Sequence, residues 1–346
     1  MSLQVNEPDK TTADRPSLTD PSRPTRATRL IFDSRRFSGC TRVSSAWYAR
    51  PTRVIGGDVQ TADRTLGRPR FHRLTRAGSD DSLAAMPEEY TDATYGDRIA
   101  DIYDVRYLEA FDKDTADAVS FLKTLAEEGP ALELGIGTGR VAIPLAEAGV
   151  EVHGIDASEA MVANLRSKPV GDSIHVTIGS FADFSVEARF PLVYVVFNTF
   201  FSLLTQDEQV SSFASVARHL TPGGAFVMQA FVPDVARFDS HQQRVAVESV
   251  GIDEITLEMS SHDAFAQRTD SQYVLLRQGD VRLFPVRIRY AYVSELDLMA
   301  RLAGLRLRER WASWRREAFP SGEWSHISVW EPEGQPEPQG SRGSSR

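Results

Sequence analysis

Cysteine is nearly missing from this chain: Cys40 is the only one in 346 residues. A single thiol makes neither an internal disulfide nor a cysteine-based metal site, so nothing points to an oxidising compartment, and a reducing cytoplasm is the expected location. Long apolar runs are missing too. The longest stretch without a formal charge, Phe190 to Gln206, is broken by Pro191, Asn198 and Thr205. It falls short of the roughly 18 to 20 apolar residues that a membrane-spanning helix needs, so neither such a helix nor a membrane partner is expected. Glycine and proline, 23 and 18 residues, are too few for a collagen-like chain, and coiled coils and disulfide scaffolds are excluded with it. What remains is 41% apolar and 25% charged, the composition of an ordinary globular protein of one or two domains.

The net charge of -9 averages two unlike parts. Residues 1–85 hold 14 Arg and one Lys against nine acids, a balance of +6, which leaves -15 on residues 86–346. The first part scatters Pro, Ser, Thr and Arg without a period, as in Arg15-Pro16-Ser17-Leu18-Thr19-Asp20-Pro21. Such a segment buries too little apolar surface to offset its ordering entropy, and is expected to be mostly disordered. An arm for an acidic partner, a targeting segment and a dispensable extension are the open readings. Early acids at Glu7, Asp9, Asp14 and Asp20 oppose targeting, and the basic residues never gather into a block. A dispensable extension fits best, with Met86 as the expected start of the functional part. The acidic remainder disfavours nucleic acid as a partner, since phosphates repel it.

From Asp112 to Glu128 apolar residues recur at helical spacing until Gly129-Pro130 stops them. Strands are then expected at Ala131–Leu134, Val150–Ile155, Ile174–Ile178, Leu192–Phe197 and Ala225–Phe231, with helices at Arg140–Ala148, Ser158–Arg166 and Asp207–Leu220 between them. Ser158 is the expected N-cap of its helix. Strands alternating with helices make right-handed βαβ units, hence an α/β fold with a parallel sheet covered on both faces. After Pro233 the period becomes two around Ile255–Met259, Gln272–Leu276 and Val286–Tyr292, which predicts an antiparallel insertion over residues 254–292. A helix capped by Ser294 follows, then strands at Leu305–Trp311 and His326–Trp330. Residues 332–346, rich in Pro, Gly, Ser and Gln, form an expected disordered tail.

The most informative run is Glu133-Leu134-Gly135-Ile136-Gly137-Thr138-Gly139-Arg140, where the first parallel strand turns into a helix. Glycines there let backbone approach a ligand, and the helix start offers unpaired N–H groups; a plain strand-to-helix turn is the bland alternative. Asp156 ends the next strand, 21 residues after Gly135, where a carboxylate can accept both hydroxyls of a ribose. An acid that merely opens a helix is the lesser alternative. A nicotinamide dinucleotide and S-adenosylmethionine both carry such a ribose. The dinucleotide fingerprint wants a third glycine where Arg140 stands.

With Glu133 ahead of it, this spacing resembles motif I of the class I S-adenosylmethionine-dependent methyltransferases. Asp156 matches the family's ribose acid, Leu220-Thr221-Pro222-Gly223-Gly224 its turn before the fifth strand, and Phe190 to Phe197 its fourth strand. The likeness runs from about Tyr90 to Trp330. It implies a Rossmann-like seven-stranded, mostly parallel sheet over residues 86–331, with the strand insertion seen in methyltransferases of small molecules, including nucleotide-sugar amine N-methyltransferases. Ile102-Tyr103-Asp104 is similar to their entry segment.

The resemblance implies S-adenosylmethionine as cofactor, with Glu133, Gly135, Gly137 and Gly139 around its methionyl part and Glu133 accepting from the ammonium. Asp156 would hold the ribose, Ala157 and Met161 pack on sugar and adenine, and Ser180 and Phe181 form the adenine loop, helped by Asp183. Tyr103 would close over the methionyl end, and Asn198 would stand near the transferred methyl beside Thr199, Phe200, Phe201 and Ser202. Met161, Tyr103 and the phenylalanines are equally readable as core, and Asp183 as a loop acid.

No catalytic base is assigned. Of the seven histidines, His262 and His241 are the candidates, each more readily read as structural or surface. No His and carboxylate cluster has metal-ligand spacing, so no metal is expected. The acceptor pocket would draw on Tyr273, Phe284, Tyr290, Tyr292, Trp311 and Trp314, and Arg315 and Arg316 would meet an anionic group. Methyl transfer to N or O of a small-molecule acceptor is the expected function, against a nicotinamide-dependent oxidoreductase or a silent S-adenosylmethionine-binding module.

Overall fold

The computed structural model describes residues 90–107 and 112–334. The basic extension, Met86, Cys40 and most of the expected tail lie outside the described residues.

Two helices open the described chain, α1 (Thr94–Tyr107) and α2 (Asp112–Ala126). They lead into β1 (Ala131–Leu134), α3 (Ala142–Glu147), β2 (Val152–Asp156), α4 (Glu159–Arg166), β3 (His175–Ile178), β4 (Phe190–Val195), α5 (Gln206–His219) and β5 (Leu220–Phe231). The order matches the expected alternation. The third helix starts two residues later than expected, with Val141 at its N-cap. Ser158 caps α4 as expected, its hydroxyl accepting from the Met161 amide. Thr205 and Glu208 close a capping box on α5.

After β5 comes an antiparallel meander of β6 (Gln243–Val250), β7 (Glu254–Asp263), β8 (Arg268–Arg277) and β9 (Asp280–Arg289). The insertion therefore begins earlier than the expected 254. On β6 the inward positions are Arg244, Ala246 and Glu248, charged or small, which hides the period-two signal that the other strands show. At its far end the insertion stops at Arg289 rather than Tyr292. Next, α6 (Val293–Leu302) has Tyr292 at its N-cap with no side-chain bond, so Ser294 lies in the first turn and is not the cap.

The last strands are β10 (Leu305–Trp311) and β11 (Ser325–Pro332). In the seven-stranded sheet the order is β10-β11-β5-β4-β1-β2-β3. Strands β1 to β5 run parallel, and β11 lies antiparallel between β5 and β10. This is the expected Rossmann-like arrangement. One face packs Phe213, Phe226 and Trp330 beneath α5 and α6. The other packs Leu122, Leu145 and Tyr194 beneath α2 and α3. A third cluster joins Ile99 and Ala100 of α1 and Met161 of α4 to Tyr273 and Phe284 of the second sheet, so α1 is the layer between that sheet and the parallel one. Among the described residues no helix is long and apolar enough to cross a membrane.

His326, at 0% exposure on β11, accepts or donates through Nδ1 to Ser328 at 2.8 Å, while Nε2 has no partner. Burial pushes its pKa from 6.5 down to about 3. Below pH 6.5 the unfolded imidazole takes up a proton that the folded one refuses, so stability falls on acidification by up to about 1.4 kcal/mol per pH unit. Urea unfolding from pH 7 to 5 should show wild type losing more stability than His326→Gln; parallel losses would refute the assignment.

Candidate functional site

The crevice lies at the carboxyl ends of β1, β2 and β4, where ligands bind in open α/β sheets. Its empty space, with the open solvent at the mouth included, is about 1080 Å³. Gly135 and Gly137 form its floor after β1, with φ of +70 and +56. A Cβ on Gly135 would lie 2.3 Å from Thr199 Cγ2, whereas one on Gly137 would meet nothing within 4 Å. The first glycine lets two loops touch, and the second leaves open space toward a ligand.

Asp156 ends β2 with both carboxylate oxygens engaged. One accepts from the Gly137 amide at 2.7 Å and the other from the Ser158 amide at 2.9 Å. Burial raises its pKa against the pull of those two amides. Ser158 then donates to Asp97 of α1 at 2.6 Å. Helix α1 is fastened further by Thr138 donating to Asp104 at 2.6 Å, by Lys168 at 2.6 Å from the other Asp104 oxygen, and by Asn164 donating to the Ala100 carbonyl at 2.6 Å. The Tyr103-Asp104 pair thus divides its work. Asp104 holds the helix to the glycine loop, and Tyr103 lines the crevice with its hydroxyl pKa raised by burial and opposed by Arg140.

At the end of β4, Phe197 and Asn198 both adopt left-handed backbone, φ +58 and +67. For a phenylalanine this is a strained conformation of the kind found at functional sites. It is held by Gln229, which accepts from the Phe197 amide at 3.0 Å, and by Asn198 Oδ1, which accepts from the Phe231 amide at 2.8 Å.

Of the eleven residues singled out from sequence, nine line the crevice: Tyr103, Gly135, Gly137, Asp156, Ala157, Met161, Ser180, Phe181 and Asn198. Gly139 does not. A Cβ there would lie 3.0 Å from Ile143 and Leu165, so it serves packing beneath the loop. Glu133 is 2% exposed under the floor, accepts from the Tyr194 hydroxyl at 3.0 Å, and has its pKa raised to about 8, chiefly by burial. Thr199 and Ser202 line the crevice, while Phe200 and Phe201 are core. Asp183 faces solvent and pairs with Arg218 at 2.9 Å.

The expected acceptor residues are not gathered here. Arg315 pairs with Asp117 at 2.7 Å and Arg316 covers the Phe121 ring. Trp314 and Trp311 pack with the core, as do Tyr273 and Phe284 in the third cluster. His262 is bonded to Gln242 and to the Tyr290 hydroxyl at 2.7 and 2.9 Å, and His241 lies in an exposed turn. Among the described residues no group of three His, Cys, Asp or Glu is placed to hold a metal.

Missed from sequence are Tyr90, Tyr95, Gly96 and, from β9, Val286, Arg287 and Ile288. Tyr95, Ile99, Tyr103 and Tyr107 recur every four residues along α1, a stripe that was there to be read. No local signal marks the β9 residues.

A family profile described as a methyltransferase domain matches residues 131–224. The cypemycin N-terminal methyltransferase of a Streptomyces species is 30% identical over 174 residues, covering 50% of this chain and 71% of that protein. The dTDP-3-amino-3,4,6-trideoxy-alpha-D-glucopyranose N,N-dimethyltransferase of Streptomyces venezuelae is 27% identical over 134 residues, 38% of this chain and 56% of its own length. Among solved structures, the CcbJ methyltransferase from Streptomyces caelestis is 41% identical, with a TM-score of 0.66 over 70% of this chain and 99% of that one. These matches support methyl transfer and not the nicotinamide alternative.

The glycine geometry separates two substitutions. Gly137→Ala is expected to cost about 1 kcal/mol for its left-handed backbone. Gly135→Ala adds the clash with Thr199 and should cost clearly more. Chemical unfolding of the two variants checks this; equal losses would show that the Thr199 loop yields freely.

Proposed function

The chain belongs to the class I S-adenosylmethionine-dependent methyltransferases; from that premise we propose that it transfers a methyl group to a small-molecule acceptor and that the acceptor atom is an amine nitrogen. The lining of the crevice carries this reading. Among the described residues it holds no histidine or lysine, and its carboxylates are Asp156, already receiving two amides, and Asp92, exposed near the N-terminal side. Nothing there is poised to take a proton from an alcohol, and a neutral amine needs no such help. The names of the relatives point the same way, one an N,N-dimethyltransferase of an amino sugar and the other an N-terminal methyltransferase.

The crevice fits the cofactor in kind: an open glycine cradle at Gly137, an acid at the ribose position and an apolar wall at Met161 and Phe181. When bound, S-adenosylmethionine supplies a methyl already activated on a sulfonium, so the protein's task is orientation and exclusion of water. In this reading Asp156 accepts from the ribose hydroxyls, Ala157 and Met161 face sugar and adenine, and Ser180 and Phe181 hold the adenine edge. Tyr103 and Asn198 flank the methyl end, with Thr199 and Ser202 at the junction with the acceptor. Glu133 accepts from the ammonium through the floor, while Gly139 shapes the loop without touching the ligand. Residues 86–331 make up the catalytic unit, its insertion extended back to Gln243, with residues 1–85 dispensable. The lone Cys40 supports a reducing cytoplasm as its place.

Two experiments test this. Offered matched acceptors that differ only in an amine or a hydroxyl at the same carbon, the enzyme with labelled cofactor should methylate the amine; preferential labelling of the alcohol overturns the proposal. The second concerns Glu133, which is mostly protonated at pH 7 in the free protein because burial raises its pKa to about 8. A cofactor ammonium beside it favours the carboxylate, so binding should expel close to one proton, and affinity should rise from pH 6 to 7.5. Titration calorimetry in two buffers of different ionisation enthalpy measures that release. It should vanish in Glu133→Gln, and an absence of release in wild type removes Glu133 from the site.

A further inference from the structure

The far edge of the seven-stranded sheet carries two imidazoles that the crevice does not use. His153 on β2 and His175 on β3 are partners in the parallel register, so their side chains leave the same face of neighbouring strands. The rings lie 5.5 Å apart at an angle of 56°. They stand near the amino ends of these strands, with His153 three residues before Asp156, or about 10 Å from the crevice side of the sheet. The Phe190 ring backs His153 at 5.3 Å. The His175 side chain is exposed, and among the described residues it has no hydrogen-bond partner.

A third neighbour settles the tautomer of the inner ring. Glu151, two residues before His153, lies 2.9 Å from its Nε2. A carboxylate only accepts, so Nε2 carries the hydrogen and Nδ1 presents its lone pair. A carboxylate behind one nitrogen, with the other nitrogen open, is the arrangement that orients metal-binding histidines and raises their basicity.

We propose that His153 and His175 together bind a divalent transition-metal ion of the Zn(II), Ni(II) and Cu(II) class, with Glu151 orienting His153 and water filling the remaining positions. Imidazole is the ligand type that these ions share. Two imidazoles bound at about 2.1 Å to one ion at a tetrahedral angle have ring centres about 5 Å apart, so the 5.5 Å found here needs only a small turn of His175. Among the described residues no group of three His, Cys, Asp or Glu is placed to hold a metal, which makes this a two-point bridge and not a closed cage. The bridge has a mechanical use. Strand β3 is the edge of the sheet and is held there by β2 alone. Its end runs through Gly179 into Ser180 and Phe181, which line the crevice. An ion shared by His153 and His175 staples that strand at its start.

The full chain is tested with Cu(II) as the spectroscopic probe and Zn(II) as the stabilising one. At an equimolar ratio, electron paramagnetic resonance should show Cu(II) coordinated by two imidazole nitrogens. His175→Gln should abolish the two-nitrogen pattern and weaken binding by at least about tenfold. Its circular dichroism and S-adenosylmethionine binding should be retained, because the residue is exposed and outside the crevice. Glu151→Gln should weaken binding by about tenfold while keeping both nitrogens. Saturating Zn(II) should slow amide hydrogen exchange in β3 of the wild type and not of His175→Gln. Copper held equally well by wild type and His175→Gln places the ion at other histidines and overturns the proposal, as does β3 exchange that Zn(II) leaves unchanged. None of these readouts uses methyl transfer, so their failure leaves the proposed reaction standing.

Discussion

One carboxylate ties the site together. Asp156 takes an amide from the glycine loop after β1 with one oxygen and an amide from the start of α4 with the other, so two strand ends are clamped through a single side chain. Burial opposes ionisation of this acid and raises its pKa, while the two amides it accepts from pull the other way. Because Ser158, one of the two donors, also holds Asp97, the position of α1 follows from the same carboxylate. The crevice wall, its floor and its covering helix are therefore mechanically one unit.

Much of this was legible. Residues Glu133 to Arg140 and Asp156 lie at strand ends close in sequence, where spacing alone says which turn meets which, and the switch from a helical period to period two marked the second sheet. What spacing does not say is which side of a turn faces the ligand: Gly139 belongs to the right loop and looks inward, toward Leu165. Nor does it reveal contributions from distant chain. Arg287 reaches the crevice from β9 and there covers the ring of Tyr90, a contact made only by the fold. The aromatic residues that composition offered to an acceptor were spent on the core instead, because Trp314 and Tyr273 bury more surface there than at an open mouth.

The second sheet buries charge beside apolar residues, Glu258 pairing in register with Tyr273 next to Phe284. Its inward side carries Glu258, which receives Arg237 and Arg244 together with the Ser260 hydroxyl, and Ser260 meets Ser271 on the next strand. A buried acid with two guanidiniums is tolerable because every oxygen is used. The same cluster explains why β6 was hard to read: of its inward residues, Arg244 is held by Glu258 on β7 and Glu248 by Arg244 on β6 itself, and only Ala246 is apolar.

The placement of β11 has a consequence for how the protein comes into being. It fills the gap between β5 and β10 although it is the last strand of the described chain, separated from β5 by nearly a hundred residues. While the polypeptide is emerging from the ribosome, the hydrogen-bonding edge of β5 stays open, and Phe226 waits for its stacking partner Trp330. The second sheet, by contrast, pairs only neighbours in sequence and can assemble as soon as it is made. The nascent molecule thus finishes its peripheral sheet before its central one.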